Sequence, residues 1–479
     1  MKRNLPLFLA FVVCILITLF SSGIPLFWDA VYYALPATQE GKSGFNPLHV
    51  QEAYDTGGFP FYALLLKLAW RIFKFHLIIT HIALLPFLWA IVFAFYRIGK
   101  LFLTEKILPW ALLLLFLEPC FLTQAVLAAP DIILLSFFLL ALMAMLEKRR
   151  MLFTLFLVFL FFCNVRGTFA IASLFILDYL FSNPLTRKKV NALLPYIPVT
   201  LLAFSWFLYH HRVSGWYVLS PLREQTDEHS VSIRIMLKHI VLVVWKLIDS
   251  GRIILWIFLG FGFLYFRKNK DPLFSRMLLM ILLPLLCFSA LLIPISNPIG
   301  ARYFMPVFVL LIFPVCYLLQ QWKTIQRIGS VILMAAILLS GNYWIYPERL
   351  SNEWDTSLKV MPYFKLEQDM REFIYTTSLK NKEMNPYKIG TQFPLINSRA
   401  ETYLSHEWNV PDIISYFDNE LHYTNALDGP VSKFHYYLHS NVCNTDLLPQ
   451  IEEVKKKWKL VKEFRQGLVY ISLYENPNY

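Results

Sequence analysis

Apolar residues run through this chain in long blocks, separated by short basic clusters. A helix that crosses a bilayer needs roughly 20 mostly apolar residues, and it satisfies its backbone amides within the segment. On that rule the pattern predicts spans near 5–27, 76–98, 107–125, 129–146, 151–165, 168–182, 191–209, 239–266, 273–293, 303–319 and 328–346. The fold class expected is a polytopic α-helical membrane protein with about eleven transmembrane helices. Met1-Lys2-Arg3 before an apolar run could open a signal peptide, but the run from Leu5 to Trp28 is long and lacks a clear cleavage site. It is read as a retained first helix.

The basic clusters set an orientation. They are Arg97/Lys100/Lys106, Lys148-Arg149-Arg150, Arg187-Lys188-Lys189, Arg267-Lys268-Asn269-Lys270 and Lys323/Arg327. With the N-terminus inside, all of them fall in cytoplasmic loops, where Lys and Arg concentrate. An odd number of crossings then leaves the C-terminal segment outside. The loop 210–238 runs against the rule: it is placed outside although it carries Arg212, Arg223, Arg234 and Lys238.

Two segments break the apolar pattern. The first is the outer loop 28–75, polar at its start and apolar at its end. There Lys67, Arg71 and Lys74 stand four and three apart, so on a helix they share one face. A helix lying in the interface is expected, with a cytoplasmic placement as the alternative. The second is 347–479, mixed in charge. Pro362 to Lys380 and Asp446 to Trp458 read as helices. Tyr387 to Phe393, Phe434 to His439 and Leu468 to Tyr474 read as strands. The domains expected are a transmembrane catalytic part, 1–346, and a small extracytoplasmic α/β domain, 347–479.

Composition agrees with the pattern. Of 479 residues, 57% are hydrophobic, 17% aromatic and 16% charged. Soluble domains carry about 25% charged residues. The net charge of +12 would suit a nucleic-acid binder, but it resides in loops between apolar blocks, so nucleic acid is excluded as a partner. The six cysteines show no metal-ligand or disulfide spacing.

Candidate chemistry lies where polar residues meet the outer helix ends, since charge at the membrane boundary is costly. Asp29 follows the first span, among the sugar-stacking candidates Trp28, Tyr32 and Tyr33. It reads either as a general base toward an acceptor hydroxyl or as a helix-end acid in an aromatic belt. Glu52 and Asp55, before Gly57-Gly58-Phe59-Pro60, could bind a metal or position an acceptor, or simply cap and turn the chain. Asp131 either faces the same cavity or complements the N-terminus of its own helix. Glu118, Gln124 and His49 are weaker candidates. Arg166 and Arg302 are placed outside, against the positive-inside trend. A lipid-linked phosphate would give each a bidentate partner; snorkelling to ordinary headgroups is the other reading.

Four stretches recur in order: Trp28-Asp29-Ala30-Val31-Tyr32-Tyr33, Asp55-Thr56-Gly57-Gly58-Phe59-Pro60-Phe61-Tyr62, Pro130-Asp131, and Ala301-Arg302-Tyr303-Phe304-Met305-Pro306. Together they resemble the GT-C glycosyltransferase superfamily, in particular the branch of protein O-mannosyltransferases and lipid A aminoarabinose transferases. Arg166-Gly167 looks similar to a basic residue before Gly in that branch. The chain departs from the pattern at Ala30, where the branch often has a second acid, and at Phe59, where it often has His.

The resemblance implies a membrane enzyme moving a sugar, hexosyl or pentosyl, from a polyprenyl-phosphate donor to a hydroxyl of a glycan, lipid or protein acceptor, with inversion. It implies Asp29 as the catalytic carboxylate, with Glu52, Asp55 and Asp131 as acceptor or metal candidates. Arg302, Arg166 and Tyr303 would hold the donor phosphate. A divalent metal is one option, and no other cofactor is implied. The expected location is a bacterial inner (plasma) membrane, among membrane lipids. A transporter or flippase of a lipid-linked glycan is the alternative, although such proteins favour ionisable groups near the bilayer midplane.

Overall fold

A computed structural model describes residues 4–27, 29–34, 37, 58–74, 76–181, 193–217, 231–268, 270–296, 299–347, 353–380, 389–391, 394–395, 424–425, 431–442 and 448–479. The apolar blocks become helices: Leu5–Phe20 (α1), Asp29–Ala34 (α2), Phe61–Phe73 (α3), Leu77–Phe102 (α4), Leu108–Leu117 (α5), Pro119–Val126 (α6) and Asp131–Leu146 (α7). Then come Arg150–Cys163 (α8), Arg166–Phe181 (α9), Tyr196–Ser214 (α10), Ile233–Ile248 (α11), Ile253–Arg267 (α12), Pro272–Leu292 (α13), Met305–Leu319 (α14) and Thr324–Gly341 (α15).

Leu77–Phe102, Pro272–Leu292, Ala301–Leu319 and Thr324–Gly341 are each long and apolar enough to cross a bilayer alone. Leu108–Leu117 and Pro119–Val126 pass together as one span bent by 64°. Shorter apolar helices, among them Leu5–Phe20 and Asp131–Leu146, stand between them. The chain is a polytopic helical membrane protein with a small C-terminal domain.

Burial sorts the helices. Every residue of α14 from Met305 to Leu319 is buried. So is nearly all of α7, which packs on α4 and α8. Phe8 and Phe20 of α1 and Ile325 and Ile332 of α15 are exposed apolar side chains, as lipid-facing positions are. Lipid offers no hydrophobic drive for helices to associate, so close backbone approach matters. Gly167 shows it: a Cβ there would stand 2.0 Å from the Leu160 carbonyl oxygen of α8.

Two expected spans are broken. The block 107–125 bends at Glu118, because Pro119 has no N–H to continue the ladder. Glu118 caps the next helix, accepting from the Phe121 N–H at 2.6 Å. The block 239–266 was expected as one span, and this is corrected: α11 and α12 are separate helices joined by Asp249-Ser250-Gly251-Arg252. Ser250 and Gly251 adopt φ of 54° and 79°, which no continuous helix accommodates. Asp249 accepts from its neighbour's N–H at 2.6 Å. A Cβ on Gly341 of α15 would lie 2.0 Å from the Ser250 carbonyl oxygen, so this corner is wedged between helix ends.

The basic stripe expected on α3 does not stay on one exposed face. Lys67 lies on the buried face with Tyr62, Leu66 and Trp70, whereas Leu68, Ile72 and Phe73 are exposed. Lys74 already lies beyond the helix, with φ of 64°. Burial of Trp70, whose indole N–H donates to Thr80 at 3.0 Å, decides the rotation of the helix.

Past α15 the chain forms the small domain. Helix Met361–Lys380 (α16) packs on a five-stranded sheet of order β2-β1-β3-β5-β4. The strands are Ile389–Thr391 (β1), Thr424–Asn425 (β2), Tyr436–Ser440 (β3), Lys459–Gln466 (β4) and Val469–Glu475 (β5). Pairings β2-β1-β3 are parallel, and β3-β5-β4 antiparallel. Helix Leu448–Lys457 (α17) lies where a helix was expected. Strand β4 was not expected, because Lys459, Lys462, Glu463 and Arg465 hide its alternation. The domain core of Trp354, Tyr363, Leu366, Ile374 and Leu473 also takes in Phe27 and Leu127 of the helical part. Phe27 meets Tyr363 and Phe364 edge-on, with ring centroids 5.6 Å and 5.5 Å away. The domain is thereby fastened to one end of the bundle.

Candidate functional site

At the end of the bundle facing this domain, several helix starts carry charge. Asp131 opens α7, and it is 2% exposed. Arg166 opens α9 just after Asn164, whose extended backbone breaks α8 from α9. Because Gly167 lets α9 lie against α8, the Arg166 guanidinium reaches Asp131 Oδ1 at 2.5 Å.

The turn Ala301–Phe304 precedes α14 and carries Arg302. Arg302 Nε lies 3.8 Å from Asp131 Oδ2, and its Nη1 donates to Asp355 of the domain. Tyr303 lies beneath both cations, with Arg166 and Arg302 4.5 Å and 5.2 Å from its ring centroid. Its hydroxyl accepts from Arg302 Nη2 at 3.3 Å. Gln124 Nε2 donates to the Asp355 carbonyl at 2.7 Å and holds that turn of the domain in place.

Two further groups flank this cluster. Arg252, thrown inward by the α11–α12 corner, donates through Nε to Glu118 Oε1 at 2.6 Å, with both side chains essentially fully buried. Its guanidinium also lies 4.1 Å from the Phe308 ring centroid. On the other side Lys246 pairs with Glu353 at 3.0 Å, and the Ala301 N–H donates to the same carboxylate at 2.8 Å. Lys359 follows on the same strap of the domain. Burial pushes its amine down to about 8, partly opposed by Asp249 and Glu353.

The site residues expected from the sequence divide into two sets. Asp131, Arg166, Arg302 and Tyr303 come together within direct contact. Tyr33, half-buried in α2, lies within electrostatic reach of Arg166. Asp29 opens that same helix and Tyr32 belongs to it, but their side chains fall outside the described residues. Trp28, His49, Glu52 and Asp55 lie outside them altogether. The returning end of that loop does approach the cluster: Gly58 packs on Asn164 and Val165. Phe59, at the position where the resembled branch often has His, meets Phe162 at a tilt and Trp206 edge-on, with ring centroids 4.7 Å and 5.1 Å away. It serves as packing here. Among the described residues no three His, Cys, Asp or Glu gather as metal ligands would.

Sequence reasoning missed Arg252, Lys246, Glu353, Asp355 and Lys359. Asp249-Ser250-Gly251-Arg252 inside an apolar block was a readable signal for the first. Nothing local marks the others, which enter only because the domain docks where it does.

This architecture defines a class: a polytopic helical membrane bundle whose charged end is roofed by a C-terminal α/β domain. No family model matches the sequence, and no curated sequence matches it either. The chain is similar in fold to solved structures of ArnT from Cupriavidus metallidurans, one bound to undecaprenyl phosphate and one in the apo state. The TM-scores are 0.51 and 0.52, at 12% identity over 97% of this chain and 97% of the other.

Proposed function

We propose that this protein is a glycosyltransferase that takes a sugar from a polyprenyl-phosphate carrier. The observation that carries the reading is the pair of guanidiniums, Arg166 and Arg302, gathered on one tyrosine and one aspartate at a single end of a membrane bundle. Two arginines at one point suit a phosphodiester: they bind its oxygens and neutralise the charge that grows as the leaving phosphate departs. Asp131 and Asp355 hold the cations in readiness. The fold likeness to a protein solved with undecaprenyl phosphate supports the same donor class.

The reaction is a single inverting displacement. Asp29 accepts the proton of an acceptor hydroxyl, the oxygen attacks the anomeric carbon, and polyprenyl phosphate leaves toward Arg302 and Arg166. Position 29 stands one helical turn before Tyr33, which lies near Arg166. A divalent ion, if used, would be held by Glu52 and Asp55. The acceptor is a glycan, lipid or protein hydroxyl. The charged end faces outward from a bacterial inner membrane, with the C-terminal domain outside, because the basic helix ends collect at the opposite end.

The test is substitution with two readouts. Asp29→Asn abolishes transfer yet keeps undecaprenyl-phosphate binding, whereas Arg302→Gln weakens that binding by about tenfold or more, the worth of a charge-assisted hydrogen bond. A protein that transfers sugar normally as Asp29→Asn is not using this carboxylate. One that translocates lipid-linked glycan without any transfer is the flippase of the alternative reading.

A further inference from the structure

Both roots of the outer loop that carries Asp29 are tied to the same turn of α4. The loop leaves α1 through the turn Ser21–Ile24, closed by the Ile24 N–H donating to the Ser21 carbonyl at 2.9 Å. It returns in α3, whose Trp70 indole donates to Thr80. The next residue, His81, holds the departing root. Its Nδ1 lies 3.1 Å from Ser21 Oγ, and its Nε2 lies 3.1 Å from the Ile24 carbonyl oxygen. Ser21, Trp70, Thr80 and His81 are all buried.

The Ile24 carbonyl can only accept, so Nε2 of His81 is the donor. Nδ1 faces a hydroxyl with a second acceptor in reach, since Ser21 Oγ also lies 2.8 Å from the Ile17 carbonyl oxygen. The bond to Ile24 is therefore the fixed half of this brace, and the contact with Ser21 the adjustable half. From Ile24 the fixation passes on. The Ile24 side chain packs on the domain core, which also takes in Phe27. The Phe27 carbonyl accepts from the Ala30 N–H at 3.1 Å, in the first turn of α2, and Asp29 opens that helix. A helix of six residues does not hold its own register, so its start must be fixed from outside.

We propose that His81 is a positioning residue for Asp29: through Ile24 it sets where α2 begins, while Thr80 sets the returning limb. The consequence for catalysis rests on the transferase reading above; the brace itself does not. A general base must stand within hydrogen-bond reach of the incoming hydroxyl, so a shift at the start of α2 is a shift in the proton transfer.

The test separates the two ring nitrogens. His81→Asn keeps an acceptor toward Ser21 but is too short for Ile24, whereas the amide of His81→Gln reaches as far as Nε2. Hydrogen exchange of the full-length protein in nanodiscs is read by mass spectrometry over 29–34, with 305–319 as the reference. His81→Asn should speed exchange over 29–34 about tenfold and leave the reference alone, the worth of one lost hydrogen bond. His81→Gln should stay near the wild type. In turnover of the sugar donor, His81→Asn should lower kcat about a hundredfold with donor KM and undecaprenyl-phosphate binding unchanged, and His81→Gln should restore most of it. Ser21→Ala should cost less than about tenfold. Nitrogen-15 spectra of the wild-type ring decide the brace without any substitution: hydrogen on Nε2 supports it, and a neutral ring protonated only on Nδ1 overturns it. Equal exchange in Asn and Gln variants, acceleration shared by 305–319, or a loss confined to KM also overturns the proposal. If Asp29→Asn transfers sugar normally, the transferase role of that carboxylate fails, while the exchange result still decides whether His81 fixes α2.

Discussion

The two ends of the bundle both carry charge but treat it differently. Facing the domain, Glu118, Asp131, Arg252 and Arg302 are buried, and they pair across helices that are far apart in sequence. At the other end Arg97 and Arg149 converge on Glu147 with side chains 38% and 52% exposed. Arg150 reaches Asp178 from a position 42% exposed, and Asp271 caps α13 while accepting from Tyr317. An exposed end needs only solvent and lipid headgroups to satisfy its charges. A buried one needs partners at fixed geometry, so its arrangement is specific and its loss is expensive. The proposed donor site lies at the end where charge is buried at cost.

That contrast can be broken by substitution, beginning with the strongest pair. Glu118→Ala strands Arg252 in the interior and should lower stability by about 3–5 kcal/mol in thermal unfolding in detergent. The double variant Glu118→Leu with Arg252→Met should recover most of it. A cost under about 1 kcal/mol for the single change would place this pair in the same class as the exposed ones.

Lys359→Met should act in the opposite direction. Burial lowers the amine in the folded state to about 8, below its ordinary 10.5, so the unfolded chain binds the extra proton between those values. The penalty of burying it charged is present in full below about pH 8, fades as pH rises from about 8 to 10.5, and is gone above that. Lys359→Met should therefore raise stability near pH 7, by an amount on the order of 3 kcal/mol. The gain should vanish in alkali. A gain that is flat with pH would mean the ammonium is not burdened by burial.

Arg149→Ala marks the small end of the scale. Glu147 keeps Arg97 at 2.7 Å, so the loss should stay under about 1 kcal/mol and shrink further with salt. A larger effect would show that the exposed end is as strictly organised as the buried one.

Much of the membrane architecture was legible in the chain because lipid imposes a length rule on apolar segments. The spans near 76–98, 273–293 and 303–319 became α4, α13 and α14 with little shift. Arg166 and Arg302 stood out as cations on the wrong side of a charge rule, and they do meet. The break at Asp249-Ser250-Gly251-Arg252 was misread, because hydropathy averages over a window and a four-residue polar corner disappears in it. Strand β4 was missed because an edge strand carries charges on both faces to deter pairing. The pairing of Asp355 with Arg302 had no local sign, since it depends on how Phe27 and Leu127 seat the domain.

By itself, then, the order of apolar and basic residues determined that the chain spans a membrane, where its helices run and which helix ends gather charge. Those features follow from solvation of each segment taken alone. Which cation meets which carboxylate was decided only in three dimensions, by the approach of α9 to α8 at Gly167, the corner at Ser250 and Gly251, and the docking of the domain. Pairing energies at the charged end depend on a few ångströms of separation in a dry interior, and such distances between remote segments exist only once the helices have packed.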